Sequence, residues 1–264
     1  MSATAAPTRV QDRRTPPWGG FSATLLGLEL RRMVRNRRTV IFTVVLPPVL
    51  FLLFGTDASY RTQSAGAGNV TAYVMISMAV YGAMVASTSG GAMVSIERAV
   101  GWSRQLRLTP LHPVAYVAVK IACAMAMGLV AVVATSVVGL LAGAELPTST
   151  LLECGVLAWL CSALFSAFGL FMGYLLPSEN VMQVLGPLLA VLSFAGGLFV
   201  PLSQMGDVFS TIAQYTPVYG VGVIARYPLG HEGTLWTAVV NVVAWTVVFV
   251  AGAVWRFRRD TARV

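Results

Sequence analysis

Apolar positions along this chain gather into six runs without a charged side chain, at residues 39–56, 70–96, 121–144, 154–178, 180–205 and 233–255. A helical run of about 18 or more apolar residues is long enough to cross the hydrocarbon layer of a bilayer. One such run could be a buried core helix in a soluble protein. Six leave no polar remainder to surround them in water, so the pattern predicts an all-α membrane protein with six transmembrane helices. The stretch before the first run has a different pattern. Between 21 and 38, Leu25, Leu26, Leu28, Leu30 and Met33 interleave with Arg31, Arg32, Arg35, Arg37 and Arg38. That mixture fits an amphipathic helix in the membrane interface, with arginines toward lipid phosphates and leucines toward acyl chains. The alternative is a basic flank that only orients the first span.

Punctuation in the runs predicts local features. Pro47-Pro48 should kink the first span, because proline removes a helix hydrogen bond. The small and hydroxylated run from Ser87 and Thr88 to Met93 is read as a place of close helix approach, with a polar path as the alternative. Gly139/Gly143 and Gly169/Gly173 form two G-x-x-x-G pairs. Pro177 to Asn180 reads as a tight turn with a helix stop and an N-cap. Residues 208–225 also lack charge, but Gln214, Thr216, Pro217, Gly220 and Gly222 make them a poor span. Short re-entrant helices are expected there instead.

The chain is 56% hydrophobic and 11% charged, against about a quarter charged in a soluble domain. Its net charge of +8 raises nucleic acid as a partner, and the distribution removes it. Sixteen of the 18 basic residues sit in the first 38 residues, in the segment 97–120 or in the last nine residues. They are membrane flanks, and the positive-inside rule places both termini and that segment in the cytoplasm. Arg61 and Arg226 are left to the other loops. Cys123, Cys154 and Cys161 fall in apolar stretches and read as small buried hydrophobes rather than a disulfide frame or metal site. The first 38 residues lack the apolar core of a cleavable signal. The domain order is then a flexible tail over 1–20, the interface helix over 21–38, a six-span domain over 39–256 and a cytoplasmic tail over 257–264.

No catalytic motif is present. The one lysine, Lys120, follows Val119, so there is no Gly-Lys-Ser/Thr phosphate loop. His112 and His231 are expected on opposite sides of the membrane. No run interior carries the titratable group a proton-coupled carrier needs, and Glu153 and Glu179 lie at span ends. Such a chain is expected to be no enzyme and to bind no metal or cofactor itself. An intramembrane enzyme, or another polytopic protein that transports nothing, is the reading from a different class, although paired acidic or histidine residues at one face are missing.

The segment 95–113 between the second and third runs carries Glu97-Arg98, Gly101, Trp102, Arg104, Leu106, Arg107 and Thr109-Pro110. It resembles the cytoplasmic coupling loop of type-2 ABC transporter permeases, whose wording is close to E-R-E-x-G-T-L-x-x-L-x-x-T-P-L. Ala99 stands here for the second acidic residue and Trp102 for the threonine. The segment 197–230 resembles the same family's broken fifth span and re-entrant outer helices through Gly197, Pro201, Gly206, Ala213 and Pro217. The resemblance implies an exporter subunit that works as a dimer with a separate ATPase, which binds the ATP and magnesium; 17 arginines against one lysine point to a bacterium and so to its plasma membrane. It implies that Glu97, Arg98, Gly101, Trp102, Arg104, Leu106, Arg107, Thr109 and Pro110 dock in that ATPase, with Glu97 meeting basic or amide groups there. Arg31, Arg32 and Arg35 belong to the interface helix. Ser77, Ser87, Thr88, Gln183, Pro187 and Ser193 are the candidates for lining a path between two copies. An uncharged path suits an amphipathic or lipid-like cargo such as a drug or natural product; a polysaccharide or lipid-linked glycan is the rival.

Overall fold

The computed structural model describes residues 23–101, 113–230 and 233–261. Helix α1 (Ala23–Arg35) is followed by α2 (Arg37–Val40), a π-helical turn (Ile41–Val45) and α3 (Leu46–Phe54). The expected proline kink takes a specific form here. Pro47 and Pro48 fall in the first positions of α3, where their missing N–H groups break no hydrogen bond. The wide turn just before them takes up the irregularity, and Thr43 Oγ1 donates within it to the Thr39 carbonyl at 2.8 Å.

A short helix α4 (Ala58–Thr62), capped by Asp57, leads to a hairpin of β1 (Ser64–Ala65) and β2 (Gly68–Asn69). Asn69 stitches this end together. Its amide accepts from Ala72 N at 2.9 Å as the N-cap of α5, accepts from Glu145 N at 3.1 Å, and donates to the Gly143 carbonyl at 2.9 Å.

The centre of the molecule is α5 (Val70–Ala99), 30 residues long, or about 45 Å. Around it lie α6 (Pro113–Leu141), α7 (Thr148–Cys161), α8 (Ala163–Leu175) and α11 (Pro217–Gly230). Small residues permit the approach. A Cβ on Gly91 would lie 2.5 Å from the Ser166 carbonyl oxygen, and one on Gly169 would lie 2.2 Å from that of Thr88. The run from Ser87 to Met93 is therefore a packing surface. Gly169 and Gly173 both face α5. Gly143 does not continue a packing face with Gly139; with φ of 102° it turns the chain beside Arg61 after α6.

The fourth run is divided into two helical segments. α7 and α8 meet at Ser162, whose hydroxyl donates to the Trp159 carbonyl at 2.7 Å and pairs with Ser87 Oγ at 3.0 Å. The fifth run is shorter than its hydropathy suggests. α9 covers Val181–Ala195, about 22 Å, because Gly196 and Gly197 end it and Leu198 N returns to the Ser193 carbonyl at 3.0 Å. A 3-10 turn (Leu202–Gln204), α10 (Asp207–Ala213) and α11 follow, and α12 (Leu235–Thr261) closes the bundle.

Four helical stretches among the described residues are long and apolar enough to cross a membrane: Val70–Ala99, Ala115–Leu141, Thr148–Leu175 and Leu235–Phe257. Ile41–Phe54 and Val181–Ala195 are apolar and shorter. The bundle surface is itself apolar, with Val133 and Val137 on α6, Leu152 and Val156 on α7, and Val243 and Val247 on α12 all exposed. A continuous apolar exterior of this kind suits lipid as its solvent.

Candidate functional site

One end of the bundle gathers a charge cluster from three helices. α5 brings Glu97 in its last turn. α6 brings Tyr116 and Lys120, four residues apart and so on one face. α1 brings Glu29 and Arg32. Lys120 Nζ lies 2.5 Å from Glu97 Oε1 and 2.8 Å from Glu29 Oε2. Arg32 Nη1 donates to Glu97 Oε1 at 3.1 Å, and the Tyr116 hydroxyl donates to Glu97 Oε2. Both oxygens of Glu97 are occupied, and its side chain is 3% exposed.

Two carboxylates, one ammonium and one guanidinium leave the cluster without net charge. Taking an ion out of water costs several kcal/mol unless a partner and hydrogen bonds replace the water. Here each buried ion has both, so the network fixes the three helices relative to one another. The Cys123 thiol adds a contact of 3.8 Å to the Leu26 carbonyl across the same α6–α1 seam.

Arg98 points the other way. Its Nη1 donates to the carbonyls of Gly173 and Tyr174 at 3.4 and 3.3 Å, and the guanidinium lies 5.3 Å from the Tyr174 ring centre. These carbonyls close α8, and a helix leaves its last carbonyls without internal partners. A cation there also meets the negative end of the helix. Glu97 and Arg98 thus tie the root of the following segment to α1, α6 and α8. Gly101, with φ of 72°, bends the chain as it leaves. Trp102, Arg104, Leu106, Arg107, Thr109 and Pro110 lie outside the described residues.

Within this chain the Glu97 carboxylate turns into the bundle, where Lys120, Arg32 and Tyr116 engage it. Lys120 is not in a loop, since α6 starts at Pro113 and carries it inside the helix pack, 5% exposed. Arg31 and Arg35 are exposed on α1 beside Leu28 and Val34, while Arg32 is held by Glu97.

The path candidates divide. Ser77, Ser87, Thr88 and Ser193 are buried within the helix pack, where Ser77 donates to the Tyr73 carbonyl at 3.0 Å and Ser193 to that of Leu189 at 2.6 Å. A surface between two copies cannot be lined by these four without the protomer opening. Gln183 and Pro187 are exposed, four residues apart on α9, with Val191 and Phe194 exposed further along.

Arg226 is the other residue that moves. It belongs to α11, not to a loop, and is buried against α5. A lone charge in an otherwise uncharged, largely apolar stretch was the available signal for both Arg226 and Lys120. No group of three or more His, Cys, Asp and Glu side chains suited to a metal occurs among the described residues.

The apolar-faced bundle with its locked polar hub defines a polytopic α-helical membrane protein. The chain belongs to the ABC-2 type transporter family, whose model matches residues 23–227, from the start of α1 into α11. It is also 25% identical over 232 residues to a Bacillus subtilis (strain 168) protein described as "Putative transport permease YvfS", covering 84% of this chain and 91% of that protein. Membership in a family of transport permeases implies an ATPase as partner.

Proposed function

We propose that this chain is the membrane-spanning subunit of an ATP-driven exporter. Six segments cross the membrane, with α2–α3 and α9 completed by their flanks, and α10 and α11 dip into the outer surface. The end that carries the Glu97 cluster faces the cytoplasm of a bacterial cell, as do both termini. Two copies assemble with two ATPase subunits that bind ATP and magnesium. The cargo is amphipathic or lipid-like, a drug or natural product; a polysaccharide or lipid-linked glycan is the second reading within the class.

The observation that carries the proposal is the Glu97 cluster at the root of the 95–113 segment. A loop that transmits force must be fixed at its base, or its motion dissipates in the loop. Glu97 and Arg98 fix that base to α1, α6 and α8. The docking contact then falls to Trp102, Arg104, Leu106 and Arg107, an aromatic and aliphatic anchor with a basic rim. ATP-driven closure of the ATPase pair moves the loops, α5 and α6 follow, and the path between the two copies changes its exposure.

The test is co-purification with a tagged ATPase encoded beside this chain, with ATP hydrolysis measured on the complex. The double change Arg104→Ala/Arg107→Ala is expected to lower recovery of the ATPase by tenfold or more, with the permease still folded. Absence of any ATPase association by the unaltered chain would sink the exporter reading.

A further inference from the structure

Among the described residues Arg226 has no countercharge. It is 5% exposed on α11, packed against the α5 face that carries Tyr73 and Ser77. Nη1 donates to Ser77 Oγ at 3.1 Å, and the guanidinium carbon stands 4.8 Å from the Tyr73 ring centre. Nε is buried without a hydrogen-bond partner. No ion pair among the described residues includes Arg226. Arginine cannot shed its proton in a protein, so the charge remains. The cluster at the other end of α5 shows a buried charge that is answered within the chain: Lys120 touches two carboxylates. A buried ionisable side chain within a membrane bundle that lacks an opposite charge marks a functional position.

Its depth and shape say what would answer it. Ser77 lies about 30 Å along α5 from Glu97 at 1.5 Å per residue, close to one hydrocarbon thickness. Arg226 is therefore at the opposite edge of the apolar layer. A guanidinium presents a planar fork that matches a carboxylate or a phosphate. Gly222, one turn earlier on α11, places bare backbone beside that fork; a Cβ there would lie 3.3 Å from each Nη. The Tyr73 ring and Ser77 Oγ hold the guanidinium in place from the α5 side.

We propose that Arg226, with Ser77 and Tyr73, recognises the anionic headgroup of an amphiphile, a phosphate or carboxylate, at the exit end of the path. This rests on the exporter reading for the existence of a path, and it narrows the cargo to acidic amphiphiles. The headgroup reaches the fork when α11 parts from α5.

The experiment is ligand-induced stabilisation of the purified full-length protein in nanodiscs of zwitterionic phosphatidylcholine. Three probes are compared: dodecyl phosphate, inorganic phosphate alone, and discs containing phosphatidylglycerol with no added ligand. Dodecyl maltoside is the neutral control. Dodecyl phosphate is expected to raise the denaturation midpoint by about 4 °C or more in the unaltered chain and not in Arg226→Gln. Arg226→Lys keeps the charge and loses the fork, and should need about tenfold more ligand for half its effect. A response to phosphatidylglycerol assigns the anion to a lipid headgroup, and one to inorganic phosphate assigns it to the free ion; either upholds the site provided it needs Arg226. An equal response in Arg226→Gln, or none to all three probes, overturns the proposal. Should the Gln variant not fold, an unchanged half-effect concentration in Arg226→Lys overturns it. No ATPase is needed here, so failure leaves the exporter reading standing, whereas failure of ATPase association removes the path and leaves only anion binding at Arg226 to be read from this experiment.

Discussion

At the scale of single residues, the cost of an unanswered charge organises both ends of α5. Glu97 and Lys120 lie 2.5 Å apart and almost wholly buried. Removing one partner of such a pair exposes the full desolvation cost of the other. Glu97→Gln or Lys120→Met should each destabilise the protein by about 3 kcal/mol. The double variant leaves fewer orphaned charges, so its loss should fall short of the sum of the singles by about 1 kcal/mol or more. Midpoints of thermal or chemical unfolding for the three variants in one detergent check this. Strict additivity would show that the two side chains do not act as a pair. Neither residue could be assigned this role from spacing alone: Glu97 sits at the end of a charge-free run and Lys120 at the start of the next, which reads as two loop charges. Only the antiparallel return of α6 along α5 makes them neighbours.

At the scale of elements, backbone approach decides where helices cross. Gly169 meets the Thr88 carbonyl so closely that an added Cβ would stand 2.2 Å from it. The obstacle is backbone and cannot rotate away. Gly169→Ala should therefore destabilise by about 2 kcal/mol or more. Gly27 on α1 has nothing within 4 Å of the same added atom, and Gly27→Ala should stabilise by up to about 1 kcal/mol through helix propensity. Opposite signs for the same chemical change, read as midpoint shifts, test the crossing directly. The glycine-rich runs were visible in the sequence, but the sequence does not distinguish Gly143, which turns a chain, from Gly173, which packs a helix. The prolines of α3 are similar. Their presence foretold an irregularity, while its form as a π-helical turn ahead of them depends on the whole helix seeking to keep its hydrogen bonds.

At the scale of the whole molecule, the bilayer sets the dimensions. Trp236 and Trp255 are 73% and 50% exposed near the two ends of α12. They are about 28 Å apart along the helix axis, which matches the hydrocarbon thickness and the habit of tryptophan to sit at both interfaces. Arg256 and Arg259 lie beside Trp255, the latter with its guanidinium 4.3 Å from the ring centre. That basic end shares its side with Glu97, whereas α4 and the β1–β2 hairpin lie at the other. A cysteine at exposed Gln63 is expected to react with a membrane-impermeant maleimide in intact cells. One at exposed Asn36 should react only after permeabilisation. Cys123 and Cys154 are buried and should add little background. Labelling in the reverse order would invert the orientation and the direction of transport with it.

The sequence by itself determined the solvent of this protein and its class. Charge-free runs of this length have nowhere stable to go but a bilayer, and the segment around Glu97 and Gly101 carried the family resemblance that the match over residues 23–227 bears out. Helix identity and approximate bounds followed from the same constraint, because a backbone in lipid must satisfy its own hydrogen bonds. The tertiary structure decided which charges are loop charges and which are buried. Hydropathy counts Lys120 and Arg226 as breaks in an apolar pattern. Whether such a break faces water, an opposite charge or nothing is fixed by residues distant in the chain, Glu29 and Glu97 for the first, Tyr73 and Ser77 for the second. A pattern along one chain has no information on that pairing until the helices have met.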